Sequence, residues 1–368
     1  MSRAQLSNMA ALALAVVMVL SRPAVGALGQ PDMHAFVAFA SSEHRLIRQA
    51  VPVLGDLHKR FANLPDSCEV LIRVNTSSIN PADRTTPGPF PQVMGSDVAG
   101  VVVAREDACK RLQVGDHVWG DIGAIVHIAD TNTSGKENGA FAEFAVALES
   151  QISVMPNNID FREAGSLPKV ALTSYKALKW YGGAPYTNAT VLILGGSGGC
   201  GSTGIQLAGA FGATRIITTT SAANVEYVQS LGASDVIDYR KNNWWEILAD
   251  GSVDVIYDTV GESGTGDKAM PKLKSGGHYV TIVGELPEHP RADAHANMFI
   301  NSKTNLNNFN ILDDLQDFVE QDRLRMRRLT PYALTSIADA FAESARGHVI
   351  GKLVIEMQDS CTDSKLTV

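Results

Sequence analysis

The sequence predicts an α/β protein in which a compact, mainly antiparallel β domain precedes a doubly wound parallel sheet. Three observations carry this expectation. The chain has 368 residues, more than one ordinary domain needs and enough for two separate cores. Short β-rich stretches punctuated by glycine and proline run to about residue 155, and from about Asp160 strands alternate with helices. A glycine cluster then lies between a buried strand and a helix, inside that alternating part.

The elements follow in order. Residues 1–32 read as a signal or targeting leader: Arg3, an apolar run from Met9 to Leu20, then Ser21-Arg22-Pro23 and the small residues Ala24 to Ala27. The run is too short to cross a bilayer core of roughly 30 Å. A cleaved secretory signal, an uncleaved anchor, the first part of a two-step organelle address and a mitochondrial presequence all stay open, as does a cytoplasmic location. From Met33 the text is globular. Strands are expected at Glu69–Val74, Val98–Val103, His117–Trp119 and Ala142–Val146. The apolar run Val191–Leu194 leads into the glycines and a helix carrying Ile205, Ala208 and Phe211, stopped by Gly212. A strand at Arg215–Thr218 leads to a helix capped by Ser221, with Val225, Val228 and Leu231 on one face. Further strands are expected at Val236–Ile237, Val253–Tyr257 and His278–Val283, helices at Ile311–Phe318 and Leu334–Ser344, and a returning strand at Gly351–Ile355.

Composition narrows the function. With 45% hydrophobic and 19% charged residues the chain is that of a folded protein. A net charge of −8 without long like-charge runs lacks the electrostatic footprint of a nucleic-acid binder. Cys68, Cys109, Cys200 and Cys361 lie far apart with no C-x-x-C pair, which predicts neither a structural zinc site nor a disulfide framework. The nine histidines show no spacing that sets two imidazoles on one helical face, so no metal site is expected. Sequons begin at Asn75, Asn132 and Asn188, and triplets of this kind also arise by chance.

Gly196, Gly198 and Gly201 form G-x-G-x-x-G within Gly196-Ser197-Gly198-Gly199-Cys200-Gly201. After a buried strand and at the head of a helix, such a loop lets the backbone approach a pyrophosphate, whose charge meets amide N–H groups and the positive helix end. An adenine dinucleotide is therefore expected here. Its ribose is usually held by an acid at the end of the second strand, where this chain has Thr218-Thr219-Thr220-Ser221. That end does not repel a 2′-phosphate, and Ser221, Asn224, Tyr239 and Arg240 offer it donors, which favours NADPH over NADH.

Together these phrases identify a resemblance. From Met33 to about Met357 the chain resembles the zinc-independent quinone oxidoreductase branch of the medium-chain dehydrogenase/reductase family, including chloroplast-envelope quinone oxidoreductase homologues and mitochondrial reticulon-interacting relatives. The phrases are Val74–Asp83 (VNTSSINPAD), Gly95–Gly100 (GSDVAG), Gly115–Gly120 (GDHVWG), Leu167–Leu178 (LPKVALTSYKAL), Ser230–Tyr239 (SLGASDVIDY), Asp258–Gly261 (DTVG) and Gly351–Val354 (GKLV). The resemblance implies a GroES-like β domain over 33–160, completed by 310–357, a Rossmann domain over 161–309, and a tail at 358–368. It implies that Asn80 and Thr173 line a nicotinamide pocket and that Asp83 orders the loop beside them. It further implies that Asp258, Val260, Val283 and Gly284 flank the nicotinamide ribose and that Lys352 approaches the cleft.

Zinc-dependent relatives carry Gly-His-Glu where this chain has Gly95-Ser96-Asp97, and a cysteine ligand in the region of Asn80. Without those ligands, the expected reaction is hydride transfer from NADPH to a quinone or α,β-unsaturated carbonyl, with no zinc. An enoyl-thioester reductase is the alternative, weakened because no tyrosine stands near Asn80; a nucleotide-binding protein without turnover is another. Two departures stand out. Arg84 and Thr85 follow Asp83 where relatives often place a basic residue second. Lys169 replaces a typically apolar residue beside the cleft, and is expected to snorkel to solvent, or to attract anionic acceptors if it faces the pocket. The expected partners are a small-molecule acceptor, a second copy of the chain in a homodimer, and a membrane only through an uncleaved leader.

Overall fold

The computed structural model describes residues 31–84, 86–129, 131, 133–303 and 306–357. Residues 1–30 of the leader, Thr85, Asn132 of the second sequon and Cys361 lie outside the described residues.

A mixed seven-stranded sheet forms the β part. Its strands are β1 (Glu69–Ser78), β2 (Asp97–Arg105), β3 (His117–Asp121), β4 (Phe144–Leu148) and β5 (Ile152–Val154), joined by two strands from late in the chain. Next come β6 (Thr190–Leu194), β7 (Arg215–Thr220), β8 (Asp235–Asp238), β9 (Val253–Asp258), β10 (Leu273–Thr281) and β11 (His295–Met298), which make a six-stranded parallel sheet. The chain then returns through β12 (Leu329–Ala333) and β13 (Lys352–Glu356), and β13 pairs antiparallel with β1 through Val354 and Ser78.

In the parallel sheet the order is β8-β7-β6-β9-β10-β11, which is 3-2-1-4-5-6 within that sheet, the doubly wound order of dinucleotide-binding folds. Val191 to Leu194 are buried throughout, as a central parallel strand covered on both faces requires. The chain reverses direction of growth between β6 and β9, so ligands are drawn to the crevice beyond the carboxyl ends of these strands, at Leu194 and Asp258.

Four helices matter for the site. They are α1 (Pro168–Lys176), α2 (Gly199–Ala210), α3 (Val225–Ser230) and α4 (Phe309–Glu320). One hydrophobic cluster contains Leu167, Val170 and Leu172 around α1, Ile205 and Leu207 of α2, Leu312 and Leu315 of α4, and Ala99 and Trp119 of the β part. Helix α1 is thus packed on both sheets. Close packing of this kind transmits displacement, so residues on its first turn are fixed relative to both.

Two expectations need correction. Ser221 does not cap a helix through its side chain: a short 3-10 turn at Ala222–Asn224 intervenes before α3, and the Ser221 hydroxyl accepts a bond from Asn224 Nδ2 at 3.2 Å. The cysteines, in turn, do include a disulfide. Cys68 and Cys109 are bonded, with Cα atoms 5.3 Å apart, because β1 and β2 pair antiparallel up to Val70 and Arg105 and the chain past Arg105 folds back over the start of β1. A 41-residue separation in sequence hid a contact that only the pairing creates. The Glu149 carboxylate braces the same turn, accepting the N–H groups of Arg111 at 2.7 Å and Leu112 at 2.8 Å. Closing a loop of this size restricts the unfolded chain, and replacing both cysteines by serine is expected to cost roughly 2–4 kcal/mol. Urea unfolding of that variant beside the parent checks this; unchanged midpoints would show that the bridge contributes nothing.

Candidate active site

The glycine loop is held from outside by the threonines of β7. Thr218 Oγ1 donates to the Ile193 carbonyl at 2.7 Å, Thr219 Oγ1 accepts the Gly195 N–H at 3.0 Å, and Thr220 Oγ1 donates to Ser197 Oγ at 3.0 Å. The hydroxyls read from sequence as merely tolerant of a phosphate are therefore braces of the loop. Two glycines are required by close approach: a Cβ on Gly196 would stand 2.1 Å from Thr218 Oγ1, and one on Gly201 would stand 2.1 Å from the Gly195 carbonyl oxygen. At Gly198 the nearest atom would be 3.6 Å away, an ordinary contact, so no close approach within the protein excludes a side chain at this position at the head of α2. Open backbone at a helix N-terminus is the cradle a pyrophosphate needs. Ser197 and Gly198 are also tied to the returning strand, with the Gly351 N–H donating to Ser197 O at 2.9 Å. Burial pushes the Cys200 thiol up to about 11, so it stays protonated and is no nucleophile at neutral pH.

Across the crevice, the Asp258 carboxylate is spent on backbone. Oδ1 accepts the N–H groups of Val260 at 2.9 Å and Gly261 at 3.0 Å, and Oδ2 accepts the Tyr279 hydroxyl at 3.0 Å. It shapes the loop that leaves Val260 and Val283 about half exposed, an apolar wall beside Gly195 and Gly284. Such a wall suits one face of a flat ring.

At the floor, between the sheets, lies a buried cluster of alternating charges. Asn80 Nδ2 donates to Asp97 Oδ2 at 2.7 Å, and Asn80 Oδ1 accepts from Lys352 Nζ at 2.7 Å. Asp97 also accepts Ser78 Oγ at 2.6 Å and the Lys169 N–H, at the start of α1, at 2.6 Å. Asp83 Oδ2 accepts the Asn80 N–H at 2.8 Å, while Oδ1 accepts Ser96 Oγ at 3.0 Å and Lys136 Nζ at 3.2 Å. Thr173 Oγ1 donates to the Lys169 carbonyl at 2.6 Å, leaving its lone pairs as the free function. Asn80, Asp83 and Lys352 thus come together, with Lys352 beside Gly199 of the glycine loop, and Thr173 lies one helical turn beyond Lys169, whose N–H is held by Asp97.

Charge and burial compete here. Burial raises the Asp97 carboxyl above its ordinary range and Lys352 offsets this only in part. For Lys352 the same burial lowers the ammonium, against the pull of Asp97 and Asp83. Burial alone would raise Asp83, but the ammonium groups of Lys136 and Lys169 outweigh it and hold that carboxyl below its usual range.

Lys169 does not snorkel. Its side chain is buried, with Nζ 2.9 Å from Asp121 Oδ1 and 3.0 Å from Oδ2. Helix α1 turns this residue inward, where its ammonium pairs with the Asp121 carboxylate of β3. Only Asp121, distant in sequence, supplies the signal that was missing.

Beyond the end of β7, Ser221 and Asn224 face each other and are buried, whereas Tyr239 is exposed. Arg328 was missed in the sequence. Its guanidinium lies 4.9 Å from the ring centre of Tyr227 on α3, and it has no carboxylate partner among the described residues. It borders a cavity of about 530 Å³ that Arg327 and His348 also line. Nothing in its sequence setting marks Arg328, because the return of β12 and β13 is what brings it to α3.

The sheet order and the open glycine cradle define a nicotinamide-dinucleotide oxidoreductase fold. Residues 66–157 match the family model "Alcohol dehydrogenase GroES-like domain" and residues 231–355 match "Zinc-binding dehydrogenase". The chain is 34% identical over 299 residues to a 2-methylene-furan-3-one reductase of Solanum lycopersicum, covering 78% of this chain and 71% of that protein. It is 33% identical over 303 residues to a chloroplastic NADPH-dependent alkenal/one oxidoreductase of Arabidopsis thaliana, covering 78% and 72%. Among solved structures, the quinone oxidoreductase from Coxiella burnetii superposes with a TM-score of 0.71 at 25% identity, over 89% of this chain and all of that one. The chain belongs to the medium-chain dehydrogenase/reductase family, in its quinone oxidoreductase-like branch.

The family model's name raises zinc, and the residues present do not fit it. At the positions where zinc-dependent relatives hold ligands, Ser96 is committed to Asp83 and the Asn80 amide to Asp97 and Lys352. Neither thiolate nor neutral imidazole, the ligands zinc prefers, is among them. Among the described residues, the ligand-type groups close enough together to share an ion are Cys68, Cys109 and Glu149, whose cysteines are bonded to each other, and the surface trio Asp267, Glu288 and His289.

Proposed function

We propose that the chain is an NADPH-dependent reductase of quinones and α,β-unsaturated carbonyls that works without zinc. The observation that carries this reading is the meeting of an open glycine cradle with a floor of fixed hydrogen-bonding groups that lacks metal-ligand chemistry. Relatives named for alkenal/one, furanone and quinone reduction favour it.

In this reading the N–H groups at the head of α2 hold the pyrophosphate, and the Val260 and Val283 wall orients the nicotinamide. The cofactor supplies a hydride when bound. Thr173 Oγ1, whose hydrogen is donated to Lys169 O, accepts from the carboxamide and fixes the ring's orientation. Asn80, Asp97 and Lys352 lock one another and so hold the acceptor's floor without reorganisation, which is where preorganised catalysis gains. An acceptor that is already electrophilic needs placement and stabilisation of the charge on its oxygen, and water supplies the proton.

Arg328 supports the choice of NADPH: its guanidinium, stacked on Tyr227 of α3 and without a carboxylate partner among the described residues, offers a 2′-phosphate a fork of donors. Arg328→Gln is expected to raise the KM for NADPH about tenfold, roughly 1.4 kcal/mol, with little change for NADH. Equal change with both cofactors would remove Arg328 from this role. The leader and the buried disulfide favour an organelle with an oxidising lumen; even cytosolic distribution of a C-terminal fluorescent fusion would contradict that.

The function itself is tested by following NADPH oxidation with 9,10-phenanthrenequinone and with a short-chain enone. Saturable turnover with either acceptor supports the reading. Absence of turnover with both, in protein that binds NADPH, would leave a binding protein instead.

A further inference from the structure

The Lys169–Asp121 pair is used by nothing described so far, and its position is unusual. Lys169 sits on the first turn of α1, where the two sheets meet: its N–H is on Asp97, which also holds Asn80, and its neighbour Val170 lies 2.9 Å from where a Cβ on Gly199 would stand. The first turn of α1 therefore lies at the junction of the acceptor floor and the cofactor loop, and the ammonium sits on Asp121 within reach of the charges of Asp83 and Asp97. It is kept charged there. Burial would lower it, but Asp121, Asp83 and Asp97 outweigh that and raise it above the ordinary lysine value.

We propose that Lys169 is the fixed cation that stabilises the negative charge developing on the acceptor oxygen, taking the electrostatic part that a metal ion plays in zinc-dependent relatives. This rests on the reductase reading above. An ammonium carries three N–H groups, and the Asp121 carboxylate takes two at most, leaving one to donate. In the step itself, hydride adds to the β-carbon of the enone, the carbon–carbon π pair shifts toward the carbonyl, and the carbonyl π pair settles on oxygen. That oxyanion accepts the remaining Lys169 N–H. Water then protonates the enolate, the cofactor having been oxidised by loss of the hydride. Asp121 keeps the ammonium oriented through both carboxylate oxygens, and Asn301 Nδ2 holds Asp121 Oδ2 at 2.8 Å, so Asp121 and Asn301 are positioning residues.

Methionine at 169 alone would strand the buried Asp121 charge, so the test uses Lys169→Met together with Asp121→Asn, beside Lys169→Arg, which keeps the charge. NADPH binding by fluorescence should be unchanged in both. The double variant should lose about 10²–10³-fold in kcat with the enone, the range for removing one oxyanion donor, and about tenfold less with the quinone, whose reduced oxygen is less basic. Lys169→Arg should recover part of the enone rate. A purely structural role would lower both acceptors equally. One measurement needs no variant: in the parent enzyme loaded with NADP⁺, 4-nitrophenol should bind more tightly as the phenolate than as the phenol.

Parent-like enone turnover in a folded double variant, equal losses with both acceptors, or phenol binding as tightly as phenolate would each overturn the proposal. If the parent reduces neither acceptor, it is the reductase reading that fails instead.

Discussion

Gly198→Val is expected to abolish cofactor binding and leave the fold intact. Gly198 has ordinary extended φ and ψ, and a Cβ placed there meets its nearest atom only at 3.6 Å, so neither strain nor collision opposes the side chain in the free protein. The added methyl groups would project into the space where a pyrophosphate must touch backbone N–H groups. A loss of about a thousandfold in NADPH affinity, some 4 kcal/mol, is the expected size. Isothermal titration with NADPH, with thermal unfolding as the control, measures both. Undiminished affinity would mean that the dinucleotide does not lie on this loop. The same substitution at Gly196 or Gly201 says less, because those Cβ atoms would collide with Thr218 or Gly195 in any state of the protein.

The second large effect concerns Glu137, a buried carboxyl whose Oε1 accepts the Ala124 N–H at 2.9 Å and Gln151 Nε2 at 2.6 Å, and whose Oε2 has no partner. Burial, with a small addition from Asp121, pushes it up from 4.5 to about 8. In the unfolded chain this group releases its proton near 4.5, so between about pH 4.5 and 8 the folded state holds a proton that the unfolded state has lost. Stability must therefore fall as pH rises through that window, and level off above about 8. Glu137→Gln keeps the shape of the neutral acid and removes the titration. The variant is expected to match the parent near pH 4 and to exceed its stability by roughly 4 kcal/mol at pH 8. Parallel denaturation curves at the two pH values check this; a constant difference between the proteins across the range would show that Glu137 does not titrate there.

Local chemistry explains what the sequence revealed. The apolar run of β6, the glycines and the start of α2 are consecutive, so strand, turn and helix could be read in one pass. Each needs only its neighbours. Charged pairs across the fold had no such signature. Lys169 reads as a residue bound for solvent because Asp121 is far away in sequence, and only the packing of α1 against β3 joins them. Cys68 and Cys109 are likewise joined by the β1–β2 ladder, and Arg328 reaches α3 only because β12 and β13 return to the first sheet. Strands at Glu43–Ala50 and β11 were missed for a different reason: they lie at sheet edges, half exposed, and carry no continuous apolar run. At the glycine loop the residue types were right and their tasks differed, since Thr218, Thr219 and Thr220 spend their hydroxyls bracing the loop.

Transfer of a labelled hydride tests the account at its centre. With NADPH carrying deuterium at C4 of the nicotinamide, on either face in two separate preparations, the enone product is expected to gain one deuterium at its β-carbon from one preparation only. A product free of deuterium from both, while NADPH is consumed, would contradict direct delivery across this cleft.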